Sequence, residues 1–393
     1  MPRDIATELI HHAYQPPAGF EAPQPAVHKA STVIFNDVAA LRARDWREKT
    51  GYTYGLHGTP TTFLLEERIA ALEGGRYCAL APSGLAAVAL VDQALLSQGD
   101  EVLLPDNVYG PSLALARGEL ARWGIAHRLY DPMDVAGLAA MIGPATRLVW
   151  LEAPGSVTME FPDLAGLAAA ARARGVATAL DNTWGSGIAF RAFDSGVDIV
   201  MQALTKFPSG GGDVLMGSVV TRDAALHERI KLTHMRLGLG VAGNDAELVL
   251  RSLATLPLRY AAQDRVGRSL AQWLSTRPEV AQVLHPALEG APGHVHWRAT
   301  CTAAAGLFSV MLDARYSRAQ VDVFVDALQL FRIGYSWAGP VSLVVPYDLG
   351  EMRSVSARER DHLRGHLVRF SIGFEAVADL QADLSQAFQR AFG

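Results

Sequence analysis

The chain has 393 residues, half of them hydrophobic and 19% charged, which is too long for one small core and too apolar for a disordered polymer. Its net charge of -5 argues against a nucleic-acid binder with a basic face, and two cysteines, Cys78 and Cys301, are too few for a disulfide framework and fit a reducing cytosol. The first residues carry acids and no long apolar run, unlike a secretory signal, and no stretch reaches the ~20 apolar residues of a membrane span.

Residues 1–55 read as an extended arm. Pro16, Pro17, Pro23 and Pro25 remove helical options, and an arm with little core of its own is expected to pack on another subunit. The pattern over 63–72 is helical and closes at Gly74-Gly75. Pro82-Ser83-Gly84 opens a second helical run over 85–96, stopped by Gly99-Asp100, and 101–104 is a short strand. A helix over 112–123, a strand over 126–130 and a buried strand over 147–152 follow. The alanine-rich run 164–174 is a helix between Asp163 and Gly175. Strands are predicted at 176–180, 197–203 and 214–220. Strand and helix alternating over ~150 residues predict an α/β fold with a mostly parallel sheet and helices on both faces. Past 250–260, helical runs near 259–275 and 376–391 and strand-like runs near 307–312 and 366–372 predict a smaller α+β domain. The divisions are therefore an arm (1–55), a large domain (56–255) and a C-terminal domain (256–393).

In such sheets a ligand sits at the carboxyl ends of the strands. Glu152, Asp181 and the pair Thr205-Lys206 all fall at such ends. A lysine and an aspartate on neighbouring strand ends suit pyridoxal 5'-phosphate (PLP): the lysine takes the aldehyde and the carboxylate keeps the pyridine nitrogen protonated. Each alone has a plain alternative, a surface lysine and a turn-forming aspartate. Ser83-Gly84-Leu85 at a helix start suits a phosphate, or is only a cap. Tyr109 follows a strand end and suits stacking on a flat ring, or is a half-buried loop tyrosine. Arg369 lies inside an apolar strand and needs an anion, either a substrate carboxylate or a structural acid. His294 and His296 lack the neighbours of a metal site and read as a solvated loop, as do His11 and His12. No metal is expected.

Several segments, in order, resemble the PLP-dependent enzymes of Cys/Met metabolism, and most closely their bacterial cystathionine β-lyase branch. They are Tyr54-Gly55 with Gly58-Thr59, Leu72-Glu73-Gly74-Gly75, Pro82 to Ala87, Glu152-Ala153-Pro154-Gly155-Ser156-Val157-Thr158-Met159-Glu160, Asp181-Asn182-Thr183-Trp184, Thr205-Lys206, Tyr335-Ser336-Trp337, and Arg369 with Gly373. The Pro-Gly-Ser-Val-Thr-Met-Glu run and Ser336-Trp337 resemble β-lyases, where γ-enzymes tend to have Thr-Asn-Pro and Ser-Leu-Gly-Gly. The resemblance implies PLP fold type I, with a seven-stranded sheet. It implies that Lys206 carries the Schiff base and shuttles protons and that Asp181 pairs with the ring nitrogen. Tyr109 would stack on the ring and help to activate the incoming amine, a catalytic role beside that of Lys206. Gly84, Leu85 and Thr205 would hold the phosphate, with Tyr54 reaching in from a neighbouring subunit. Arg369 would clamp the substrate carboxylate beside Ser336 and Trp337. It further implies a cytoplasmic homotetramer that cleaves L-cystathionine to homocysteine, pyruvate and ammonia, with neither nucleic-acid nor membrane partners.

The chain departs from the family at Leu56, where an arginine usually meets the phosphate, with His57 following. Ala203 and Gly211-Gly212 also differ from common family residues, the first as β-lyases do. The open alternatives are a cysteine-S-conjugate or cystine β-lyase, a γ-lyase or γ-synthase, a cofactor-free Schiff-base aldolase, and a non-catalytic PLP-fold binding protein.

Overall fold

In the computed structural model the described residues are 4–10, 19, 23–47, 49, 51–352 and 361–393. Seven strands form the large sheet: β1 (Tyr77–Ala81), β2 (Glu101–Pro105), β3 (Ala126–Tyr130), β4 (Thr146–Glu152), β5 (Ala177–Asp181), β6 (Ile199–Ala203) and β7 (Gly217–Thr221). Their order is β1-β7-β6-β5-β4-β2-β3. The neighbours from β6 to β3 pair in parallel, and β7 runs antiparallel to both β6 and β1. The mostly parallel sheet expected from the strand-helix alternation is therefore present.

Alternation within the strands explains the layering. Val149, Leu151, Leu180 and Val200 enter one hydrophobic cluster, while Leu148, Trp150, Ala179 and Ile199 enter another. Successive side chains point to opposite faces, so near-continuous apolar strands bury both. Helix α1 (Ile5–Ile10) contributes Leu9 to the first cluster and contacts α2 (Pro60–Glu73). Helix α3 (Gly84–Leu95) packs on the second face, against β6 and β7.

The arm departs from the expected extended form. Residues Ile5–Ile10 and Val38–Arg42 are helical, the latter because Asp37 caps it by accepting from the Ala40 N–H at 2.7 Å. The prolines act only where they stand. Pro16, Pro17, His11 and His12 lie outside the described residues. His294 and His296 are also corrected: they sit on a helix, His294–Thr300, not in a loop. His294 Nδ1 lies 2.9 Å from the Pro286 carbonyl, and its ring stacks on Trp297.

The C-terminal domain carries a second sheet, β8 (Val280–Leu284), β9 (Leu307–Leu312), β10 (Arg332–Ile333), β11 (Leu343–Tyr347) and β12 (His366–Ser371), in the order β10-β11-β12-β9-β8. Phe308, Val310, Val368 and Phe370 face the helices of this domain. Leu307, Met311 and Leu367 belong instead to the cluster of the large domain. The period of two thus turns Ser309 and Arg369, which are register partners, toward the large sheet. Ser309 Oγ donates to the Val157 carbonyl at 2.6 Å, tying the sheet to the segment after β4.

Candidate active site

Strand β5 ends at Asp181, and β6 ends at Ala203, three residues before Lys206. The turn that follows β6 is closed by its own backbone: Lys206 N–H donates to the Ala203 carbonyl at 3.1 Å and Gly210 N–H to the Lys206 carbonyl at 2.8 Å. Gly210 has φ +64, and a Cβ there would fall 2.0 Å from Arg259 Nη1. Its glycine is a packing requirement.

Lys206 Nζ donates to Ser336 Oγ at 2.6 Å and lies 5.6 Å from the centroid of the Trp337 ring. Burial, then the Arg369 charge, push the amine down to about 8, with Asp181 pulling the other way. A lysine so shifted is neutral often enough to act as nucleophile and base near neutral pH.

Asp181 accepts from Thr183 N–H at 2.9 Å and from Thr183 Oγ1 at 2.5 Å. Both go to Oδ1, and no described residue donates to Oδ2. Burial raises its pKa, against the pull of the Thr183 bonds and of Lys206. Glu152 is its register partner on β4. That carboxylate accepts from Tyr109 N–H at 2.7 Å, Ser156 N–H at 3.0 Å and Ser156 Oγ at 2.5 Å. Burial, then the charge of Asp181, raise Glu152 to about 8. The sequence places Glu152 at a strand end; only the register reveals that it meets Asp181 and holds Tyr109.

Helix α3 begins beside these groups. Ser83 caps it by accepting from Ala86 N–H at 3.0 Å, so the N–H groups of Gly84 and Leu85 have no intrahelical acceptor. A Cβ on Gly84 would lie 2.7 Å from the Ala203 Cβ. Glycine therefore lets the helix start close on β6, next to the lysine turn. Thr205 also has partners within the chain. Its hydroxyl donates to the Met216 carbonyl at 3.2 Å and accepts from Met216 N–H at 3.1 Å. This pairing ties the lysine turn to the segment before β7.

The small domain closes the site with Arg369, Ser336 and Trp337. Arg369 is 8% exposed, and its Nη2 donates to the Ser336 carbonyl at 3.2 Å. Its guanidinium lies 5.2 Å from the Tyr347 ring centroid. Nε is buried with no acceptor, and no described acid pairs with the group. Ser336 and Ala338 have φ of 80 and 66, a left-handed backbone that costs energy in residues other than glycine. Phe207 meets Trp337 edge-on at 5.6 Å.

Tyr54 stands apart from this group. It is 46% exposed, bridges to Thr32 and has its ring 5.9 Å from that of His57. Leu56 faces Gly240. His57 Nδ1 lies 2.8 Å from Thr53 Oγ1, and burial, then Lys231, His234 and Arg44, hold its imidazole below the usual value.

The model of the "Cys/Met metabolism PLP-dependent enzyme" family matches residues 6–389. The chain belongs to this family. A cystathionine β-lyase of Bordetella avium is 40% identical over 92% of this chain and 91% of its own. That of Escherichia coli is 33% identical over 99% of each. The solved cystathionine γ-synthase of Xanthomonas oryzae pv. oryzae superposes with a TM-score of 0.90 at 30% identity, covering 100% of this chain and 99% of its own. The family implies PLP, and the residues fit it: an amine shifted toward neutrality, a half-buried carboxylate with one oxygen that no described residue bonds, and a helix start whose glycine admits a close anion. No described helix is long and apolar enough to cross a membrane.

Proposed function

We propose that the chain is a carbon-sulfur β-lyase that converts L-cystathionine and water to homocysteine, pyruvate and ammonia. The observation that carries the reading is the convergence on Lys206 of Ser336 at 2.6 Å and of an arginine whose Nε has no acceptor. A buried, partly satisfied guanidinium beside a nucleophilic amine is suited to an amino-acid substrate: a carboxylate completes the arginine and sets the α-carbon against the amine.

Bound here, PLP supplies an aldehyde for the amino group and a protonated ring that takes up the electron pair left by the α-proton. Asp181 holds that ring nitrogen protonated, and Thr183 keeps the carboxylate aimed by occupying its other oxygen. Tyr109 covers the ring, anchored through its N–H by Glu152. Gly84 and Leu85 present backbone N–H groups to the phosphate, and Thr205 stiffens the turn beside it. Lys206 takes the α-proton and returns a proton to the departing sulfur. Ser336 holds the amine in reach, Arg369 grips the α-carboxylate, and Trp337 walls the site.

The β-lyase relatives favour breakage at the β-carbon, and the γ-synthase likeness supplies the competing outcome. Purified protein given PLP and L-cystathionine is assayed for both keto acids. Pyruvate with free homocysteine is expected; 2-oxobutanoate instead would move the chain to the γ-branch.

We also propose a cytoplasmic homotetramer in which Tyr54 serves a neighbouring subunit. Exposed Ile34 (86%) and Val38 (57%) on the arm support this packing, and the buried free cysteines Cys78 and Cys301 suit a reducing compartment.

A further inference from the structure

A depression of about 480 Å³ opens beside the site, with Asp106, Gly110, Ala114, Arg117, Ser156 and Met352 on its walls. It joins the site through two of these residues. Gly110 follows Tyr109, and Ser156 makes both of its bonds to Glu152. Helix α4 (Gly110–Leu115) continues through a wider π-helical turn, Ala116–Leu120. Gly110, Ala114 and Arg117 are spaced four and three apart, so they share one face of that helix. Arg117 lies ~10 Å along the axis from Gly110 at 1.5 Å per residue. Helical side chains lean toward the N-terminus, which carries its guanidinium back toward the Tyr109 end.

The charge on Arg117 is unanswered. Cations around it are paired, Arg122 with Glu119 at 3.9 Å and Arg128 with Glu101 at 2.6 Å. Arg117 is exposed and makes no hydrogen bond or ion pair among the described residues. Among the described residues on the depression, the other charged one is Asp106. An exposed cation on a small concavity beside the site matches the carboxylate of a second amino-acid head.

We infer that this depression binds the far end of the substrate, with Arg117 receiving a second carboxylate. The ligand class is a thioether or disulfide with an amino-acid head at each end. This rests on the lyase reading: one head is held by Arg369 and Lys206, and the departing sulfur carries the other outward past Tyr109. S-alkyl cysteines have no second charge and leave Arg117 unused. Arg117 is therefore a specificity-determining residue.

The test compares kcat/KM for L-cystathionine and S-methyl-L-cysteine in the wild-type holoenzyme, Arg117→Ala and Arg117→Lys. A charge-assisted bond of this kind corresponds to roughly 10- to 100-fold. The cystathionine-to-methylcysteine ratio is expected to fall by that factor in Arg117→Ala, chiefly through KM, and to recover in part in Arg117→Lys. An unchanged ratio, with pyruvate still formed from both substrates, overturns the assignment and leaves the lyase reading standing. A wild-type enzyme that forms pyruvate from neither overturns both.

Discussion

Glu152 and Asp181 are register partners at the carboxyl ends of two adjacent parallel strands, and both are carboxylates. Burial raises the pKa of both, and the charge of Asp181 raises Glu152 further. Each answers with its own donors: Thr183 twice for Asp181, and Tyr109 N–H with Ser156 for Glu152. Raised to about 8, Glu152 is largely protonated at neutral pH, so the pair does not carry two full charges. The pairing also links Asp181, through its neighbour Glu152, to the loop that carries Tyr109.

Asp181→Asn separates charge from shape. The asparagine carbonyl can still accept both Thr183 bonds, so the thermal midpoint is expected to stay within a few degrees. The ring nitrogen loses its anionic partner, and kcat for pyruvate release is expected to fall by a factor of ~100 or more. A variant with near-normal kcat and a normal melting curve would remove Asp181 from the ring-nitrogen role.

Lys206 should label as an unusually acidic amine. In the cofactor-free chain, its modification by an amine-reactive reagent, followed by mass spectrometry, is expected to rise with pH around a midpoint of about 8 instead of 10.5. Arg369→Met removes a cation that disfavours protonation, so the midpoint rises. Asp181→Asn removes the opposing anion, so the midpoint falls. Opposite shifts in the two variants are the outcome required; shifts of one sign in both would contradict the arrangement of charges.

Much of this site was legible in one dimension because its residues lie at strand ends. The apolar runs before Asp181 and Lys206 mark strands that the structure places at 177–181 and 199–203, and parallel sheets collect ligands at that edge. The orphaned Nε of Arg369 was foreshadowed by an arginine within an apolar strand. Glu152 was harder, because register between strands is a property of the pair and not of either segment. The bond between Thr205 and Met216 was hidden for a similar reason: Met216 lies eleven residues on, across a loop whose path no local pattern dictates. The arm helices were missed because prolines were weighed over a whole segment, while Asp37 caps a short run that lies beyond the last of them, Pro25.

Gly84 is predicted to tolerate no side chain. Alanine there would bring two methyl carbons to 2.7 Å, so helix α3 must shift away from Ala203. The cost is expected to be ~1–3 kcal/mol of stability, as for overpacking elsewhere. PLP affinity should weaken with it, because the same displacement moves the N–H groups of the helix start. Urea unfolding and a spectroscopic PLP titration of Gly84→Ala measure the two effects; unchanged affinity would separate this helix start from the phosphate.

Glu73 gives the pH dependence its sign. It ends helix α2, fully buried, and accepts from Asn182 Nδ2 at 2.8 Å and from Gln202 Nε2 at 2.5 Å. Burial raises its pKa to about 8 from 4.5, Asp181 adding to the rise while the two amides pull it down. Between those values the folded chain holds a proton that the unfolded chain has released. This contribution to stability is therefore complete below about 4.5 and is lost as pH rises through about 8. Glu73→Gln removes the titration without changing size. It also finds a ready acceptor, since Asn182 Oδ1 and Gln202 Oε1 are buried without donors, and either amide can turn over to receive the new NH2 group. The expected result is a urea midpoint above wild type at pH 9 and a smaller or reversed difference at pH 5. An equal deficit at both values would mean that the carboxylate is ionised in the folded chain throughout, with the two amides alone stabilising its charge.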